Sequence, residues 1–127
     1  MMTRQAMSTT GAPPAQGPYS QSIATEAFLF CSGQIGLDPA SGELAVGIEA
    51  QATRVLANLE AVLAADGLDW SDVVKTTIFL ADIGDFAVVN GIYGARMADP
   101  PPARSTFAVG SLPRGALIEI EAIARRR

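Results

Sequence analysis

Histidine is missing from the chain, and Cys31 is the only cysteine among its 127 residues. Those two absences remove Ser-His and Cys-His nucleophile pairs, His-containing and multi-cysteine metal sites, and any internal disulfide. Chemistry here has to rest on carboxylate, hydroxyl, guanidinium and backbone groups. Positive charge is scarce as well: 9 Lys and Arg stand against 13 Asp and Glu, a net charge of −4. Affinity for phosphate backbones comes from clustered Lys and Arg, so nucleic acid is not an expected partner. The one basic cluster, Arg125, Arg126 and Arg127, reads as a solvated tail. No apolar run reaches the length of a membrane span, and the N-terminus lacks the hydrophobic core of a secretory signal. A cytoplasmic protein without a membrane partner is the expectation.

Apolar residues, by contrast, are plentiful at 49%, with only 17% charged. A single domain of this length has a large surface for its volume, and so little charge leaves much of that surface apolar. Burial between subunits follows as the expectation. Cys31, in the apolar run Phe28-Leu29-Phe30-Cys31, reads as a small buried hydrophobe rather than a nucleophile.

Residues 1–16 are polar, small and proline-bearing, which predicts a flexible N-terminal arm ahead of a single domain over residues 17–127. Two strand-like runs, 20–25 and 27–32, predict a hairpin, followed by a loop dense in turn formers at 36–42. Apolar residues at three- and four-residue steps predict an amphipathic helix over 48–63, stopped by Asp66-Gly67. A β-branched, aromatic strand over 73–81 should lie centrally in the sheet. Asp82 and Asp85 offer caps for a second helix that places Phe86, Val89, Tyr93 and Met97 on one face, and Asp99-Pro100 ends it. Strands over 104–109 and 117–124 are expected to pair as a second hairpin. The order ββαβαββ implies a two-layer α+β domain, two helices on one face of a mostly antiparallel sheet of about five strands.

In the last strand Ile118, Ile120, Ala122 and Ala124 point one way and Glu119 and Glu121 the other. The apolar set should face the helices. Arg104 and Thr106 share parity in the neighbouring strand of the expected hairpin, so a suitable register puts them on the face of the two carboxylates. From spacing alone two roles for Arg104 stand level: a static ion pair with Glu119 or Glu121, and an anchor for a ligand carboxylate.

Five segments in order then carry a resemblance: Gly17-Pro18-Tyr19-Ser20-Gln21, Ser32-Gly33-Gln34-Ile35, Val74-Lys75-Thr76-Thr77, Pro102-Ala103-Arg104-Ser105, and residues 118–124. From about Pro14 to the C-terminus the chain is similar to the RidA (reactive intermediate/imine deaminase, YjgF) family. The resemblance implies a chorismate-mutase-like fold, a homotrimer with helices outside, and a cleft at each subunit interface. It implies cofactor-independent hydrolysis of 2-imino and 2-enamine acids, such as 2-aminoacrylate and 2-iminopropanoate, to 2-oxo acids and ammonia, with no metal. Arg104 would grip the substrate carboxylate, a task that suits the guanidinium fork. Glu119 would handle water, while Glu121 would hold a structural place. Tyr19, Ser32 and Gly33 would line the cleft, and Asn90 would fix a loop or cap. Thr106 stands where typical members have cysteine, and keeps a hydrogen-bonding group there. The rival expectations are a non-catalytic metabolite-binding or holdase protein and, behind it, an endoribonuclease.

Overall fold

The computed structural model describes residues 3–127; Met1 and Met2, the start of the expected arm, lie outside the described residues. Strands β1 (Gln5–Met7), β2 (Ser22–Ala24), β3 (Phe28–Gln34), β4 (Val73–Leu80), β5 (Ala103–Ala108) and β6 (Ile118–Arg125) form one sheet in the order β1-β2-β3-β6-β4-β5. Helices α1 (Ile48–Ala64) and α2 (Phe86–Arg96) pack against each other and cover one face. The expected two-layer α+β class is therefore the observed one. Among the described residues, no helix is long and apolar enough to cross a membrane.

The periodicity of α1 does what it forecasts: Val55, Leu56, Leu59, Val62 and Leu63 are buried against the sheet. The helix ends where Gly67 takes φ 72, a left-handed angle that favours glycine, and the Leu68 N–H donates back to the Leu63 carbonyl at 3.0 Å. At its start, the Gln51 side chain accepts from the Leu117 N–H at 2.8 Å and donates to the Ala45 carbonyl at 2.9 Å, tying the helix to the strand that carries the acidic residues. In α2, Val89 and Tyr93 face the core, and the Tyr93 hydroxyl meets the Thr76 hydroxyl at 2.7 Å.

The second hairpin does not form. β6 lies between β3 and β4, antiparallel to both, and β5 pairs parallel to β4 on the far side. Burial explains the choice. Ile118, Ile120, Ala122 and Ala124 are all buried, which suits the middle of a sheet, whereas Ala103, Ser105, Phe107 and Ala108 are exposed, which suits an edge. The connection from β4 through α2 to β5 is a β-α-β crossover, the usual way to join parallel neighbours.

Both ends of the chain are tied more closely than composition suggests. Within the segment read as an arm, β1 pairs with β2, and Ala12 is buried. The Gln21 amide accepts from the Thr9 N–H at 2.7 Å and donates to the Pro13 carbonyl at 2.8 Å. At the other end, the expected solvated tail is corrected: Arg126 makes a two-pronged pair with Asp66, at 2.7 and 2.9 Å, and Arg127 reaches buried Asp72 at 2.8 Å. Cys31 is the small buried hydrophobe its neighbours forecast, and burial, with Asp66 adding, pushes its thiol up to about 12.

Candidate active site

The sheet face away from the helices carries a cavity of about 480 Å³ where β3 bulges against β6. Cys31 opposes Ala122 and Gln34 opposes Ile120, so Ser32 and Gly33 together face the single residue Glu121. A bulge of this kind re-aims the chain locally. Here it lets the Glu119 carboxyl lie directly over Gly33: a Cβ at Gly33 would overlap Glu119 Oε2 and come within 2.8 Å of its Cδ. Glycine at this position is what lets the Glu119 carboxyl come so close, by the lack of a side chain rather than by backbone angle. Gly33→Ala should therefore displace the Glu119 carboxyl while leaving the sheet intact, since the clash is with the end of a flexible side chain. A fall in activity with an unchanged melting temperature is the expected result, and full activity would contradict the placement.

Glu119 and Glu121 line this cavity together and, among the described residues, neither carboxyl has a hydrogen bond or ion pair. Burial raises the Glu119 pKa above the ordinary carboxylate value of 4.5, and the charge of Glu121 raises it further. Tyr19 and Ser32 line the same cavity. The Tyr19 hydroxyl accepts from the Gln16 N–H at 3.0 Å, and the Ser32 hydroxyl donates to the Ser20 carbonyl at 2.6 Å, so each is already oriented. Sequence reasoning missed Arg114, which lines the cavity from a turn where it takes φ 58. The flanking Pro113 and Gly115 signalled a turn, but nothing in the pattern signalled which way its arginine would face.

Arg104 lies elsewhere. The expected shared face of Arg104, Thr106, Glu119 and Glu121 is corrected by the register: Arg104 aligns with Thr76 and Thr106 with Ile78, both on the helix side, while Glu119 and Glu121 align with Phe79 and Thr77 on the other. The expectation rested on a β5–β6 pair that does not exist. The Arg104 guanidinium sits 5.1 Å from the Tyr93 ring centroid and 5.6 Å from that of Phe86, a cation–π seat built by α2. Among the described residues it makes no hydrogen bond or ion pair. The static ion pair is thus absent within the chain. Asn90 makes no loop or cap bond either; with Arg104 and Met97 it lines a second hollow, of about 400 Å³. Two residues beyond Arg104, the Thr106 hydroxyl is buried without a hydrogen-bond partner.

The structure thus sets a cavity lined by Glu119 and Glu121 on one face of the sheet and, on the other, an arginine that makes no hydrogen bond or ion pair among the described residues. The chain belongs to the Endoribonuclease L-PSP family, the RidA/YjgF family, and matches it over residues 9–126. Protein DfrA of Myxococcus xanthus is 55% identical over 126 residues, which span 97% of this chain and 96% of that protein. The 2-iminobutanoate/2-iminopropanoate deaminase of Mus musculus is 48% identical over 122 residues, 95% of this chain and 90% of that one. RidA from the Antarctic bacterium Psychrobacter superposes with a TM-score of 0.93 at 41% identity, covering 95% of this chain and 98% of that one.

Proposed function

We infer that the protein hydrolyses reactive 2-imino acids, and the 2-enamines that tautomerise to them, to 2-oxo acids and ammonia. The observation that carries the reading is the Arg104 guanidinium, seated on two aromatic rings with its N–H donors unused by the described residues. Such a group is preorganised for a planar anion, and a carboxylate fits its fork. Similarity to proteins named for imine deamination supplies the substrate class.

Arg104 holds the substrate carboxylate, and Glu119 takes a proton as water adds to the carbon of the C=N bond. That proton passes to nitrogen to give the carbinolamine; its hydroxyl proton then moves to the amino nitrogen as the C=O bond forms, the C–N bond breaks, and ammonia leaves behind a 2-oxo acid. Imines hydrolyse readily in water, so holding the carboxylate, placing the water and moving protons is enough chemistry for a site without histidine. Thr106, Ser32, Tyr19 and the backbone at Gly33 orient the reactants.

Arg104 and Glu119 lie on opposite faces of one sheet, so a site that uses both takes them from different copies. We place these copies in a homotrimer with the helices outward. The sheet face that would turn inward exposes Phe28, Phe30 and Phe107, the last in edge-to-face contact with Phe79 at 5.3 Å. An endoribonuclease role, which the family description names, finds no support in the charge: a phosphate track needs clustered cations, and the chain is net −4.

The test is direct. Imines generated in place by an amino-acid oxidase should release 2-oxo acid faster with the protein than in buffer alone. Buffer rates for every imine tried would overturn the reading.

A further inference from the structure

Among the described residues the Arg104 guanidinium rests on ring faces alone, so its orientation depends on how firmly those rings are held. A cation over a ring is attracted to the whole face, whereas a hydrogen bond fixes a direction. The two rings are held unequally. Phe86 is 38% exposed, while Tyr93, nearer the guanidinium at 5.1 Å, is only 5% exposed. The Tyr93 hydroxyl meets that of fully buried Thr76 at 2.7 Å, and neither has a second partner among the described residues. Thr76, on β4, is also the residue aligned with Arg104 on β5. Helix α2 is pinned three residues beyond Tyr93, where Arg96 donates to Glu60 of α1 at 2.8 Å and Glu60 accepts from the Trp70 indole N–H at 2.6 Å. The ring is therefore tied by its hydroxyl to one strand and bears the guanidinium of the next.

Resting on the imine-hydrolysis reading, with Arg104 as the carboxylate anchor, we propose that Tyr93 is a positioning residue: its ring, locked by Thr76, holds the guanidinium plane in the orientation that receives the substrate carboxylate. Two parallel N–H···O bonds need the guanidinium and the carboxylate close to one plane, so a tilt weakens binding even when the charge is unchanged. Tyr93 and Thr76 act on substrate only through Arg104. A lysine ammonium has no plane to orient, so the lock should matter little in an Arg104→Lys protein. General damage to the fold would harm both proteins alike.

The experiment uses Tyr93→Phe, which keeps the ring and cuts its tie, and the double variant Tyr93→Phe/Thr76→Val. The single variant leaves the Thr76 hydroxyl buried without a partner and should melt lower; in the double variant both partners are apolar, and melting should return towards wild type. In both, kcat/KM for 2-iminopropanoate should fall about tenfold, through KM more than kcat, short of the roughly hundredfold that an ångström of misplacement costs. Introduced into Arg104→Lys, the same double substitution should change the rate by less than about twofold. If Tyr93→Phe fails to fold, the double variant decides. A wild-type rate in the folded double variant overturns the role, and equal losses with Arg104 and in the Arg104→Lys protein reduce Tyr93 to a structural part. A wild-type protein that hydrolyses no imine overturns the hydrolase reading alone. Titration calorimetry with 2-oxobutanoate then reads the lock: affinity about tenfold weaker in the double variant is expected, and equal affinity, or no binding by wild type, refutes it.

Discussion

Arg104→Ala is expected to lower imine hydrolysis by about 30-fold to several thousand-fold, roughly 2 to 5 kcal/mol of transition-state stabilisation, while the protein keeps its fold. The size follows from what the guanidinium does in each state. Within the chain it has no hydrogen bond or ion pair among the described residues, only the rings of Tyr93 and Phe86. A partly exposed cation–π contact of this kind contributes about 0.5–1 kcal/mol, so stability should change little. With substrate bound, the same group meets a carboxylate away from bulk water, where truncation leaves one charge without its partner. Arg104→Lys keeps the charge and loses the fork, and should fall between wild type and alanine. Calorimetric melting alongside initial rates separates the effects: near wild-type turnover by a folded Arg104→Ala protein would remove the anchor and the mechanism built on it.

How far the sequence reaches can be seen in particular residues. Periodicity located α1 to within a residue at its C-terminal end, because its buried face runs over four turns and Gly67 stops it. Alternation placed Glu119 and Glu121 opposite the core with the same certainty, since the side-chain period of a strand is fixed. Strand neighbours were another matter. Proximity in sequence argued for a β5–β6 hairpin, but pairing is decided by which strand most needs two covered edges and a fully buried apolar face. β6, with its four buried apolar residues, took the interior place and left β5 at the edge. That one exchange moved Arg104 and Thr106 to the helix side. The bulge at Ser32–Gly33, the Gln21 clamp and the inward Arg114 turn were equally illegible, because each depends on contacts between segments far apart in the chain. Residue resemblance pointed to Arg104 and Glu119 and to a cleft between subunits, but it carried no strand register, and the register is what sets the two residues on opposite faces.

Glu119→Gln should abolish most of the remaining catalysis, by about 10²- to 10⁴-fold, the range a positioned acid/base supplies. In wild type the rate should fall as pH drops through the Glu119 pKa, because the carboxylate must be ionised to take a proton from water. Burial, with Glu121 adding, raises that pKa, so the limb should lie at higher pH than for an ordinary glutamate and be absent in the glutamine variant. Stability should move the other way. A raised folded-state pKa means that the folded protein binds the proton more tightly than the unfolded chain, so stability is lost as pH rises from the ordinary carboxylate value through the raised one. Glutamine carries no such penalty. The variant should melt higher than wild type at neutral pH, with the difference shrinking in acid; a lower melting temperature at neutral pH would mean that Glu119 has a compensating partner. Placing the two halves of the site on different copies gives the sharpest consequence. Arg104→Ala and Glu119→Gln, each strongly impaired alone, should recover about a quarter of wild-type activity when refolded together in equal amounts, because one interface in four then pairs an intact Arg104 with an intact Glu119. Mixed oligomers that stay inactive would place both residues in a single subunit's site, against the faces on which the sheet holds them.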